Sequence, residues 1–262
     1  VSGHGDVLAE HNQIIRTMCG STVHGMAIEG TDDIDQMGVY IESPNQVIGL
    51  DKSKESWVWR TQPDGVRSGP GDVDLTLYSL RKYMHLAVDG NPTVLTLLYA
   101  PKEAVVLNTS FGIELQALAD KIVSQKAGYR FLGYLDGQRI RMDGGGNQAR
   151  VPNRPELIEA HGYDTKYASH ALRLGLQGIE LMTTGHLSLP MVPDHLAICM
   201  QVKKGEVNFV EAKRRVDFVR WRLSELMDDK VLLGRHLRPE PHKSAINSWI
   251  TNAHQSWWGW DG

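Results

Sequence analysis

Two textures divide this chain near Asn108, and they constrain the fold more than any single residue does. Before that point, short apolar runs bounded by Gly, Pro and Asp have the look of half-buried strands. "IIRTM" (14–18), "IDQMGVYI" (34–41), "SWVWR" (56–60) and "DVDLTLYSL" (72–80) are the strand candidates. A helix capped by Asp6 precedes the first, "TVHGMAI" follows a Gly-Ser turn as a short helix, and "LRKYMHLAVDG" reads as a helix ending at Gly90. Asn91-Pro92 then stops one helix and starts another. Beyond Asn108, "SFGIELQALADKIVSQ" (110–125), "YASHALRLGLQGIELM" (167–182) and "EVNFVEAKRRVDFVRWRLSELM" (206–227) carry the helical period. Gly/Pro-rich "PDGVRSGPG" (63–71) and "MDGGGNQARVPNRPE" (142–156) read as flexible loops. The expectation is an α+β protein: a small mixed sheet with flanking helices over 1–108, then a mostly helical region over 109–262.

Bulk properties exclude several classes. With 262 residues, 41% hydrophobic and 23% charged, the chain can bury a real core and is not of disordered composition. A formal net charge of −3 argues against coating nucleic acid by charge alone, though a local basic cleft remains compatible with it. Cys19 and Cys199 are too few for a disulfide framework or a cysteine-rich zinc site, which suits a reducing cytoplasm. No apolar run approaches the roughly 20 residues of a membrane span, and "VSGHGDVLAEHNQ" has no basic-then-apolar leader. A cytoplasmic protein with no membrane partner is expected.

The chemistry concentrates in "CGSTVHGMAIEGTDDIDQMGVY" (19–40). In a strand, residues i and i+2 share a face, so Asp33 and Asp35 project together while Ile34 turns to the core, leaving Asp32 as a turn residue. Two bare carboxylates roughly 6–7 Å apart repel by about 2–3 kcal/mol at an effective dielectric near 20. A divalent cation converts that repulsion into coordination, and oxygen-only ligands suit Mg²⁺ or Mn²⁺. An isolated Asp-x-Asp is more often a turn or cap. Here Gly20-Ser21 offers a backbone N–H and a hydroxyl suited to an anion, and Asp74 lies in a second strand-like segment that alternates in the same way.

Gly20-Ser21, eleven residues, Asp33-Ile34-Asp35 and then Asp74 among apolar residues resemble the signature of the polymerase-β-like nucleotidyltransferase superfamily. Residues 72–101 and 163–185 further resemble its RNA-repair-associated members, the YcgL/RlaP-type group, and the likeness spans most of 14–210. The resemblance implies a polymerase-β-like catalytic domain that transfers a nucleotide from an NTP to an acceptor hydroxyl, with an RNA end favoured. It implies that Gly20 and Ser21 grip the triphosphate, that Asp33 and Asp35 bridge two divalent metals, and that Asp74 holds the metal at the incoming hydroxyl. Nucleotidylation of a protein or small molecule, as in toxin-like members, and a non-catalytic nucleotide- or RNA-binding module are the competing readings.

Lys166, His170 and Arg173 share one helical face by spacing; they meet the triphosphate or an acceptor backbone, or form an ordinary solvated face. Arg81 and Lys82 follow the Asp74 strand and approach the same cleft or stay solvated. Lys213, Arg214 and Arg215 are candidates for a nucleic-acid backbone, and Trp257, Trp258 and Trp260 either stack bases or dock onto the fold.

Overall fold

Strand alternation resolves into one five-stranded sheet. A computed structural model describes residues 9–28, 30, 32–51, 54–63, 66, 68–142 and 154–260. Asp6, expected as an N-cap, lies outside the described residues, as does the middle of the 142–156 loop. The strands are β1 (Gln13–Met18), β2 (Ile34–Tyr40), β3 (Ser56–Arg60), β4 (Val73–Ser79) and β5 (Val105–Asn108). Their spatial order is β3-β4-β2-β1-β5, with β2 and β4 parallel and the remaining pairs antiparallel. Central β1 and β2 carry the core, with Ile14, Ile15, Val39 and Tyr40 at 1% exposure or less.

Packing divides the chain into two units that interleave in sequence: 1–89, 93–123 and 241–262 in one, 90–92 and 124–240 in the other. The sheet unit contains the helical turn α1 (Gly20–Val23), which begins on the Gly-Ser pair itself and is shorter than the expected "TVHGMAI" helix. It also holds α2 (Leu80–Val88) and nearly all of α3 (Pro92–Leu98). Ser79 caps α2 by accepting the Lys82 N–H, and Leu80, Tyr83, Met84 and Ala87 form its buried stripe. The expected 110–125 helix breaks at Leu118, leaving α4 (Ser110–Ala117) and a separate turn, Ala119–Ile122.

The helical unit is built from α5 (Lys126–Met142), α6 (Thr165–Thr184), α7 (Pro193–Lys203) and α8 (Phe209–Asp228). Helix α6 is central and packs on the other three. Gly175 and Gly178 let it approach α8 and α5 closely: a Cβ there would stand 2.4 Å from Val219 and 2.8 Å from Leu223. Asp164 caps α6, accepting the N–H groups of Lys166 and Tyr167 at 3.0 Å. The Trp-rich segment 243–258 forms α9 (Lys243–Trp258), which belongs to the sheet unit. No described helix is long and apolar enough to cross a membrane.

Candidate metal and nucleotide centre

Parallel pairing of β2 with β4 brings together carboxylates that stand 39 residues apart in sequence. Asp35 and Asp74 are direct partners in the register, and the Ile34 N–H donates to the Asp72 carbonyl at 2.7 Å where the two strands begin. Asp33 immediately precedes β2. One oxygen from each of Asp33, Asp35 and Asp74 lies within 4.8 Å of the others, and all three residues are half-buried. The donor set is all oxygen and three-fold anionic, which fits Mg²⁺ or Mn²⁺ rather than a soft transition metal. Asp32 is set apart: its Oδ2 accepts the Ile28 N–H at 2.6 Å, closing the preceding loop.

Gly20 is shaped by this cluster. Its φ is +60°, and a Cβ there would stand 2.1 Å from Asp35 Oδ2, so only glycine lets the turn and the carboxylate occupy the same space. The Cys19 N–H donates to the Asp35 carbonyl at 2.9 Å, tying the turn to β2. Burial, followed by the Asp35 and Asp33 charges, pushes the Cys19 thiol far above its ordinary value, so it stays protonated and is no nucleophile. Ser21 is half-buried, and its hydroxyl has no hydrogen-bond partner among the described residues.

Asp74 carries an electrostatic collar that sequence spacing does not reveal. Arg60 is its register partner on β3, and Arg60 Nε donates to Oδ1 at 3.1 Å. Gln62 Nε2 donates to Oδ1 at 2.9 Å and the Ser68 hydroxyl to Oδ2 at 2.7 Å. Burial raises the Asp74 pKa, but the donors Arg60, Ser68 and Gln62 together hold it below the usual carboxylate value. The loop expected to be flexible therefore contributes a donor to the centre. The linear cue was faint: Arg60 ends a predicted strand whose partner was unknown.

Lys166, His170 and Arg173 fall on one stretch of α6, in the helical unit. Lys166 is exposed, while His170 and Arg173 are half-buried. Arg173 Nη1 donates to Gln177 Oε1 at 2.7 Å, and burial pulls its guanidinium pKa down to about 10. Burial first, then the charges of Arg173, Lys166, Arg154 and Arg141, hold His170 well below its ordinary value. His170 is therefore neutral at pH 7, a donor or acceptor rather than a cation.

Two sequence candidates fall elsewhere. Arg81 and Lys82 follow the C-terminal end of β4, opposite the end that carries Asp74, because a parallel pair sends both chains away from the carboxylates. Arg214 and Arg215 both bind Glu211, at 2.7 Å, so one of their two charges is offset within α8.

A family model described as "RlaP: RNA repair pathway DNA polymerase beta family" matches residues 8–217. Among solved structures, the chain is similar to a nucleotidyltransferase-like protein from Exiguobacterium sibiricum 255-15. That likeness has 13% identity and a TM-score of 0.31, covering 88% of this chain and 74% of the other. No curated protein matches the sequence.

Proposed function

Because the chain belongs to the RNA repair pathway DNA polymerase beta family, we propose that it transfers a nucleotide from a nucleoside triphosphate to an acceptor hydroxyl, with an RNA end as the acceptor. The observation that carries this reading is the convergence of Asp33, Asp35 and Asp74 to within 4.8 Å beside the Gly20-Ser21 turn. Nucleotidyl transfer asks a protein chiefly for positioning and charge stabilisation, not for covalent participation.

In this reading Asp33, Asp35 and Asp74 hold Mg²⁺ or Mn²⁺. When bound, the divalent ions lower the pKa of the attacking hydroxyl and neutralise charge on the departing pyrophosphate. Asp33 and Asp35 would hold the ions from the β2 side, and Asp74 would hold them from β4 and support activation of the acceptor hydroxyl. Gly20, lacking a Cβ, leaves room for the Asp35 carboxylate, and the Ser21 hydroxyl donates to a phosphate oxygen. Arg60 balances the anionic centre through Asp74 when no cation is present. Lys166, His170 and Arg173, which share a stretch of α6, are carried as nucleotide-binding residues on the family resemblance.

The test is an acceptor panel: each α-labelled NTP with Mg²⁺ or Mn²⁺ and RNA, DNA or protein. Label on RNA ends is the expected result. Label on protein alone would replace this acceptor with protein nucleotidylation, and metal-dependent NTP binding with no transfer would leave a binding module.

A further inference from the structure

The opposite end of the β2–β4 pair carries a pocket. Glu42 lies seven residues beyond Asp35 and Arg81 seven beyond Asp74, a run of roughly 20 Å at strand rise. There, within the sheet unit, a pocket of about 290 Å³ opens between the Pro44–Val47 turn, the start of α2 and the last turns of α9. Val47, Ile48 and Ile250 supply aliphatic wall, Trp258 and Trp260 aromatic wall, and Arg81 the charge.

This pocket is built rather than incidental. Buried Glu42 accepts from His254 Nε2 at 3.1 Å, and its backbone carbonyl accepts from Trp258 Nε1 at 2.8 Å. Gly259 (φ +70°) ends α9 in a left-handed turn; its N–H donates to the Ser256 carbonyl at 3.2 Å and the Trp260 N–H to the Gln255 carbonyl at 2.9 Å. That turn folds Trp260 back against Trp258, edge to face at 5.0 Å, with 53% of Trp260 left exposed.

The polar inventory selects the ligand. Arg81 is exposed and has no ion-pair partner among the described residues, because Lys82 takes Glu55 at 2.7 Å and the Glu42 carboxylate is buried against His254. Among the described residues no carboxylate lines the pocket, and the Arg81 charge disfavours a cationic guest. An indole presents a face for a planar ring, a guanidinium presents a planar fork for phosphate, and Thr251 and Gln255 offer hydrogen bonds to a ring edge. The volume sits at the lower limit of small-ligand pockets, enough for a base with its sugar and not for a larger cofactor.

We infer that this pocket binds a nucleobase carrying a phosphate, the ring on Trp260 and the phosphate on Arg81. A free mononucleotide and one residue of a single strand share that chemistry. The site stands apart from the carboxylates and does not depend on their assignment.

Calorimetric titrations of the full chain with AMP, UMP, the matching nucleosides and a single-stranded RNA hexamer test it. They are run in EDTA and repeated on Asp35→Asn, so that metal-dependent binding at the carboxylates does not register. Mononucleotides or the hexamer should bind, nucleosides at least tenfold more weakly. Trp260→Ala and Arg81→Ala should each weaken binding about tenfold, with Trp260→Phe retaining most of it, at unchanged thermal unfolding. Mononucleotide binding identifies the free ligand, and hexamer-only binding identifies the strand; either upholds the site. Absence of binding by all of them, nucleosides equal to nucleotides, or affinity indifferent to both alanine variants would overturn it.

Discussion

Asp35 and Asp74 occupy the same rung of the parallel β2–β4 pair, and with Asp33 each brings one oxygen within 4.8 Å of the others. At that distance two bare carboxylates repel by about 3 kcal/mol at an effective dielectric near 20, an upper figure for half-exposed groups screened by solvent. Asp35→Asn should therefore raise the melting temperature in EDTA while abolishing the further rise that Mn²⁺ gives the unsubstituted protein. Asp74→Asn should not raise it, because it strips Arg60 of its counter-charge. Thermal unfolding with and without Mn²⁺ checks both.

Gly20→Ala should damage the centre out of proportion to one methyl group. The added Cβ would meet Asp35 Oδ2 at 2.1 Å on a backbone with φ +60°, so both turn and carboxylate must shift. A loss of at least 1 kcal/mol in stability and a hundredfold or greater drop in transfer rate are expected. Gly137→Ala in α5 is the control: a Cβ there has nothing within 4 Å, and helix propensity should add about 0.5–1 kcal/mol. Denaturant melts and single-turnover rates distinguish the pair.

Arg60→Gln should tighten divalent-ion binding. The guanidinium donates to both oxygens of Asp74, at 3.1 and 3.4 Å, and competes with a cation for them. Its removal should lower the Kd for Mn²⁺ several-fold, read by paramagnetic relaxation of water. An unchanged or weaker affinity would mean that Arg60 organises the site rather than guarding it.

Acid should loosen the C-terminal helix before the rest of the sheet unit. Burial opposes ionisation of Glu42, but hydrogen bonds led by that from His254 outweigh it and hold the carboxyl below its ordinary 4.5. A depressed carboxylate pKa contributes stability that is present above the unfolded-state value and lost as pH falls from about 4.5 through the folded value. Hydrogen exchange along α9 should therefore accelerate as pH falls below about 4.5, after correction for the intrinsic exchange rate, and Glu42→Gln should flatten that dependence while weakening the helix at pH 7.

Four strands were legible because strand period and turn residues agreed locally, as at Ile34–Tyr40, Ser56–Arg60 and Val73–Ser79, whereas the four-residue β5 was not. Asp33 and Asp35 were legible for the same reason, since i and i+2 alternation separates them from Asp32. The register that pairs Asp35 with Asp74 and Asp74 with Arg60 is tertiary, and no linear spacing encodes it. Helix α5 was missed because Gly128, Gly133 and Gly137 depress its local propensity. Packing overrides that: Ala127, Phe131 and Leu135 are buried at four-residue intervals, and Gly128 admits the sulfurs of Met182 and Met227. Likewise, nothing local announces that residues 241–260 pack with the sheet; the contact of Trp258 with Glu42 spans 216 residues.

The most direct measurement is label transfer from an α-labelled NTP to RNA by the intact protein and by Asp35→Asn, in Mg²⁺ and in EDTA. Transfer by the intact protein in Mg²⁺ alone, lost in a folded Asp35→Asn variant, is the predicted result. Transfer that persists in EDTA or in the variant would contradict a metal-dependent reaction at Asp33, Asp35 and Asp74.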